Sequence, residues 1–89
     1  MTNPEQGLLI VEDDADIATA VGIGLQAKGH EVTVAGSGRR MNEVLSESEI
    51  DVILLDLGLP DVDGIELIGQ VRRWSAIPIV VVSPRHDSH

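Results

Sequence analysis

Cysteine, phenylalanine and tyrosine are absent from these 89 residues, and tryptophan occurs once. Lack of Cys excludes disulfides and thiolate chemistry and fits a reducing compartment. Lack of Phe and Tyr leaves a core to be built from Val, Ile, Leu and Ala. Basic residues are scarce, with 6 Lys plus Arg against 15 acids and a formal net charge of −9. That balance repels a phosphate backbone, so the chain is not expected to bind nucleic acid directly. No apolar run approaches the length of a membrane span. The opening residues Met1-Thr2-Asn3-Pro4-Glu5-Gln6 lack the basic residues and apolar stretch of a signal peptide. One small cytoplasmic domain, without a membrane partner, is the expectation.

What the chain does have is acid at the ends of apolar runs. Val52-Ile53-Leu54-Leu55 runs into Asp56, and the loop Leu57-Gly58-Leu59-Pro60-Asp61 follows at once. Consecutive large aliphatics predict a strand buried on both faces, as in the middle of a parallel sheet. Leu8-Leu9-Ile10-Val11 ends the same way, in Glu12-Asp13-Asp14. Open α/β sheets place their ligands at the carboxyl ends of such strands. Two strands delivering acids to one rim would bring several carboxylates within a few ångströms, an arrangement that persists mainly when a cation neutralises it.

The periodicity alternates between strand and helix. Ile17, Ala20, Val21, Gly24 and Leu25 recur at helical spacing, with Asp14 or Asp16 suited to the helix start and Lys28-Gly29 to its end. Gly22 and Gly24 each cost that helix about 1 kcal/mol relative to Ala, so it depends on packing against the sheet. Glu31 to Ala35 alternates as a half-exposed edge strand. Gly36-Ser37-Gly38 breaks the chain before a short helix with Met41, Val44 and Leu45 on its apolar face. Ile50 to Asp56 predicts the third strand, and Gly64 to Trp74 the third helix, with Leu67, Ile68 and Val71 inward. Ile77 to Val82 predicts the fourth strand, where Pro78 is tolerable only near the start. The resulting β-α-β-α-β-α-β order implies a parallel sheet with right-handed crossovers and helices on both faces.

Four pieces, in this order and spacing, resemble the receiver domain of bacterial two-component response regulators. They are Leu8-Leu9-Ile10-Val11-Glu12-Asp13, Ile53-Leu54-Leu55-Asp56, Leu59-Pro60-Asp61-Val62-Asp63-Gly64 and Ile77-Pro78-Ile79-Val80-Val81-Val82-Ser83. The stretch from Asp56 to Ile68, followed by Arg72-Arg73-Trp74, is most similar to the winged-helix (OmpR/PhoB-like) class, and within it to the potassium-responsive Kdp regulators. The resemblance implies a flavodoxin-like (CheY-like) fold of strand order 2-1-3-4 over residues 7–83, with 84–89 as a polar tail. It implies a non-enzymatic signalling module, part of a transcriptional regulator, in which Asp56 accepts a phosphoryl group from a sensor histidine kinase. Asp13 and Asp56 would bind Mg²⁺ directly, with Mn²⁺ able to substitute. Gly58 would add its backbone carbonyl, Glu12 would act through a water, and Ser83 would be the switch hydroxyl that hydrogen-bonds the acyl phosphate.

The same family pattern continues past Ser83 with a fourth helix, a fifth strand ending in an essential Lys, and a fifth helix. These 89 residues hold no counterpart of them, and Lys28, their only lysine, falls in the first helix. Pro84 has no N–H to offer where the family uses one to hold the phosphoryl group. The expectation is therefore an incomplete receiver whose phosphorylation is impaired. Its fourth strand would be a bare apolar edge and one sheet face would be uncovered, predicting a homodimer or higher oligomer.

Blander readings stand beside these. Glu12-Asp13-Asp14 could be a helix N-cap run, which suits Asp14 better than Asp13. His86 and His89 could bind a metal but fit a tail, Arg39-Arg40 and Arg72-Arg73 fit solvated helix faces, and Trp74 fits a cover for the third helix's end. A non-signalling fragment acting as a self-associating interaction module is the alternative function. A metal-dependent topoisomerase-primase-type fold would want Asp-x-Asp at the catalytic strand, and Asp56-Leu57-Gly58 fails that test.

Overall fold

A computed structural model describes residues 7–83. The elements run β1 (Gly7–Val11), α1 (Ala15–Ala27), β2 (Glu31–Ala35), α2 (Gly38–Glu47), β3 (Val52–Asp56), α3 (Gly64–Arg72) and β4 (Ile79–Ser83). All pairings are parallel and the strand order is β2-β1-β3-β4. Element order and topology match the expectation. The tail residues 84–89, with Pro84, His86 and His89, lie outside the described residues.

Boundaries move for local reasons. β3 begins at Val52 because Asp51 is occupied otherwise: its N–H donates to the Gly7 carbonyl (2.7 Å) and its Oδ2 accepts from the Gly7 N–H (2.8 Å). A Cβ at Gly7 would meet the Glu49 carbonyl oxygen at 2.7 Å, so only glycine fits this splice. α3 stops at Arg72, its last turn tightening as Trp74 N–H and Ser75 N–H both donate to the Val71 carbonyl (3.1 and 2.9 Å). β4 starts after Pro78, which cannot donate but whose carbonyl accepts from Ile53 N–H (3.0 Å). α1 ends in a left-handed Gly29 (φ 92°), with Gly29 N–H on the Gln26 carbonyl and His30 N–H on that of Leu25. That pair of bonds satisfies carbonyls a helix end otherwise leaves open.

The core lies between the sheet and the α2/α3 layer. Leu9, Val11, Ile53 and Leu55 project into it to meet Met41, Val44, Leu67 and Val71, all essentially inaccessible to water. The helix faces read from sequence hold for α2 and α3. α1 differs: its inward stripe is Ala18, Val21, Gly22 and Leu25, while Ile17 is 48% exposed. Small residues allow that helix to lie close on the sheet, Gly22 against Val32 and Ile10. Alanine and glycine carry little apolar weight, so the bulkier Ile17 misleads.

α1 covers only half of its sheet face. Every residue of β1 is buried, but β3 alternates, with Val52 and Leu54 partly open. The expectation that β3 is buried on both faces is thus corrected, because no described helix lies over that side of β3 and β4. Val80, Val81 and Val82 are 44–48% exposed.

Candidate functional site

β1 and β3 are adjacent and in parallel register, Val11 beside Leu55, so the residues that follow them emerge together at the carboxyl rim. Glu12 continues β1 by one bond, its N–H donating to the Ala35 carbonyl (2.9 Å). Asp56 closes β3. Carboxylate oxygens of Glu12, Asp13 and Asp56 all lie within 4.8 Å of one another. Glu12 and Asp56 are only 4% and 5% exposed, whereas Asp13 faces water.

Burial among these acids acts most on Glu12. Burial pushes the Glu12 carboxyl from its ordinary 4.5 up to about 7, and a hydrogen bond to Asp56 and the charges of Asp56 and Asp13 push the same way. An opposing N–H from Asp14 to Glu12 Oε2 (3.1 Å) holds the side chain in place. The Gly58 N–H donates to Asp56 Oδ1 (2.9 Å), which sets that carboxylate's orientation and ties the next loop to it. Asp14 serves the helix instead: its Oδ1 accepts from Asp16 N–H (2.9 Å) and Ile17 N–H (3.2 Å), capping α1.

Oxygen-only donors with excess negative charge suit a hard divalent cation such as Mg²⁺, which takes one or two carboxylates and retains waters. The donor set fits. Of the residues singled out from sequence, Glu12, Asp13 and Asp56 converge, and Gly58 touches Asp56 through its N–H. Ser83 is brought opposite Asp56 by a register shift between Leu55 and Asp56, where β4 carries one extra residue. Lys28 sits at the far end of α1 as its C-cap, away from the rim. Arg39, Arg40, Arg72 and Arg73 are solvated, and Arg40 pairs with Glu43 (2.9 Å). Trp74, just past the end of α3, is 62% exposed and lines an open cleft with Leu45, Ile50, Asp51 and Ile77 at the opposite pole, where the strands begin.

One residue was missed by sequence reasoning. Asp61 bonds the first two N–H groups of α2, Gly38 (2.9 Å) and Arg39 (3.0 Å). The pairing spans 23 and 22 residues, and no local pattern announces it.

The sequence pattern of the family described as "Response regulator receiver domain" matches residues 8–89. The chain is 41% identical over 87 residues to the KDP operon transcriptional regulatory protein KdpE of Escherichia coli K12, covering 98% of this chain and 37% of that protein. It is 38% identical over 81 residues to the transcriptional regulatory protein KdpE of Mycobacterium tuberculosis, covering 91% and 36%. It thus spans a little over a third of the length of these curated relatives. Among solved structures, the BeF3-activated N-terminal receiver domain of Klebsiella pneumoniae RstA superposes with a TM-score of 0.84 at 32% identity, covering 93% of this chain and 70% of that one.

Proposed function

The chain belongs to the response regulator receiver domain family, and on that premise we propose that Asp56 is its phosphoacceptor. A sensor histidine kinase is the donor: the P–N bond of its phosphohistidine breaks as a P–O bond to Asp56 forms, and the freed imidazole takes up a proton. Asp13 and Asp56 would hold Mg²⁺, or Mn²⁺, with the Gly58 carbonyl, and Glu12 would act through a water; such a cation would supply neutralisation of charge on the phosphoryl oxygens. Ser83, opposite Asp56 in register, is the hydroxyl we assign to the acyl phosphate. The named relatives are transcriptional regulators, and we take the role of the longer protein to be the same. Residues 7–83 form the receiver unit, in the cytoplasm where such a kinase delivers its phosphoryl group.

The observation that carries this reading is the convergence of Glu12, Asp13 and Asp56 within 4.8 Å at the rim of the sheet. Amide shifts followed during Mg²⁺ titration test the cation site, with movement expected at residues 12–14 and 56–58. Intact mass after treatment with acetyl phosphate and Mg²⁺ tests the acceptor. No adduct in the native chain at saturating Mg²⁺ would defeat the phosphoacceptor assignment.

A second copy of the chain is the further partner we propose. β4 pairs only with β3 among the described strands, and Val80, Val81 and Val82 stay 44–48% exposed. Unpaired apolar edges recruit other strands. Light scattering at high micromolar concentration should report a dimer or larger species, and Val81→Lys should shift it toward monomer. A well-dispersed monomer would remove this partner.

A further inference from the structure

Asp61 stands in the loop between β3 and α3, exposed, and takes no part in the reading above. Both of its oxygens are nevertheless engaged, Oδ1 by Gly38 N–H (2.9 Å) and Oδ2 by Arg39 N–H (3.0 Å). With Ser37 Oγ accepting from Arg40 N–H (3.1 Å), the first three donors of α2 are all satisfied. The bond from Gly38, joined by that from Arg39, holds the Asp61 carboxyl below its ordinary 3.8. Gly38 also has no side chain where a Cβ would run into Val62, so the loop lies directly against the helix start.

Other ties join this loop to the strand and the helix that flank it. Gly58 N–H bonds Asp56, and Gly64 N–H donates to the Leu57 carbonyl (3.1 Å) at a point where a Cβ would strike the Leu57 backbone. Asp63 caps α3 by accepting from Ile65 N–H (2.9 Å), and Asp61 is the residue whose side chain bonds the loop to α2. We infer that Asp61 is a positioning residue for the cation site: by clamping the loop to the N-terminus of α2, it holds Gly58 in place beside Asp56. The inference rests on the reading of Asp13, Asp56 and Gly58 as that site. Groups that orient a ligand without touching the metal typically change affinity by about 10- to 100-fold.

A mere helix cap would behave differently, and Ser37 supplies the control because it caps the same helix end without touching the loop. Mg²⁺ titration of the 89-residue chain, followed by amide shifts, should show Asp61→Ala weakening binding about tenfold. Asp61→Asn, which keeps one accepting oxygen, should recover part of the loss. Ser37→Ala should leave the affinity where it was. If Asp61→Ala does not fold, the pair Asp61→Asn and Ser37→Ala carries the test. Native affinity in the folded Asp61 variants, or equal losses in Ser37→Ala, would overturn the inference while leaving the cation site standing. No response at residues 12–14 and 56–58 in the native chain would bring down the site and this inference with it.

Discussion

Acids occupy the carboxyl rim of this sheet in two contrasting settings. In the exposed loops, Asp14, Asp61 and Asp63 meet the backbone donors of helix starts: Asp14 and Asp61 accept two N–H groups each, and Asp63 accepts from Ile65 (2.9 Å) at the start of α3. Between β1 and β3, Glu12 and Asp56 accept one backbone N–H each and otherwise face each other and Asp13. The first setting lowers the Asp61 carboxyl and the second raises that of Glu12. Burial raises the carboxyl between the strands, and backbone donors at a helix start lower the exposed one in the loop.

The sharpest break of this contrast comes at Asp56. Asp56→Asn should abolish the acetyl phosphate adduct entirely, as read by intact mass. Next in size is Asp13→Asn. Loss of a direct ligand should weaken Mg²⁺ binding by at least the roughly 10- to 100-fold typical of outer partners, and removing one like charge should move Glu12 back toward its ordinary value, as measured by carboxyl chemical shifts.

Acidity offers a third handle. A carboxyl raised to about 7 still carries its proton in roughly half of the molecules at neutral pH when no cation is bound. Its contribution to stability is full below about 4.5 and fades as pH rises through about 7, so the metal-free protein should become less stable across that window. Mg²⁺ must displace the proton, and its apparent affinity should therefore increase from pH 5 to pH 8. Glu12→Gln should flatten this dependence; a slope that survives the substitution would place the proton elsewhere. Asp61 runs the other way, its contribution kept above 3.8 and lost as pH falls below it.

The smallest effect belongs to the donor-rich setting. Asp14→Ala removes a cap worth about 1 kcal/mol and should lower the urea midpoint without altering Mg²⁺ affinity. A large change in affinity would make Asp14 part of the cation cluster and blur the two settings.

Much of this was legible in the sequence, for a physical reason. The strands β1, β3 and β4 are continuous aliphatic runs and α2 and α3 carry bulky apolar residues at helical spacing, so burial writes itself into composition. Acids directly after two such runs predicted the cluster. What stayed hidden depends on small residues and distant pairs. Ala18 and Gly22 face the sheet because they are small, and the Asp61 bonds join residues more than twenty positions apart. The uneven cover of β3 was hidden too, since an aliphatic run looks the same whether a helix lies over it or not.

The indole of Trp74 has an optical consequence. It is the only aromatic fluorophore of the chain, it stands 62% exposed where the strands begin, and the acids gather where they end. A five-residue strand spans about 16 Å, at roughly 3.3 Å per residue, which separates the emitter from the cation cluster. Its emission should be nearly blind to Mg²⁺, and a spectrum already solvent-relaxed in the folded state should shift little on unfolding. Circular dichroism, amide shifts and mass are thus the proper eyes for this molecule, and an unchanged fluorescence trace reports only on where its tryptophan sits.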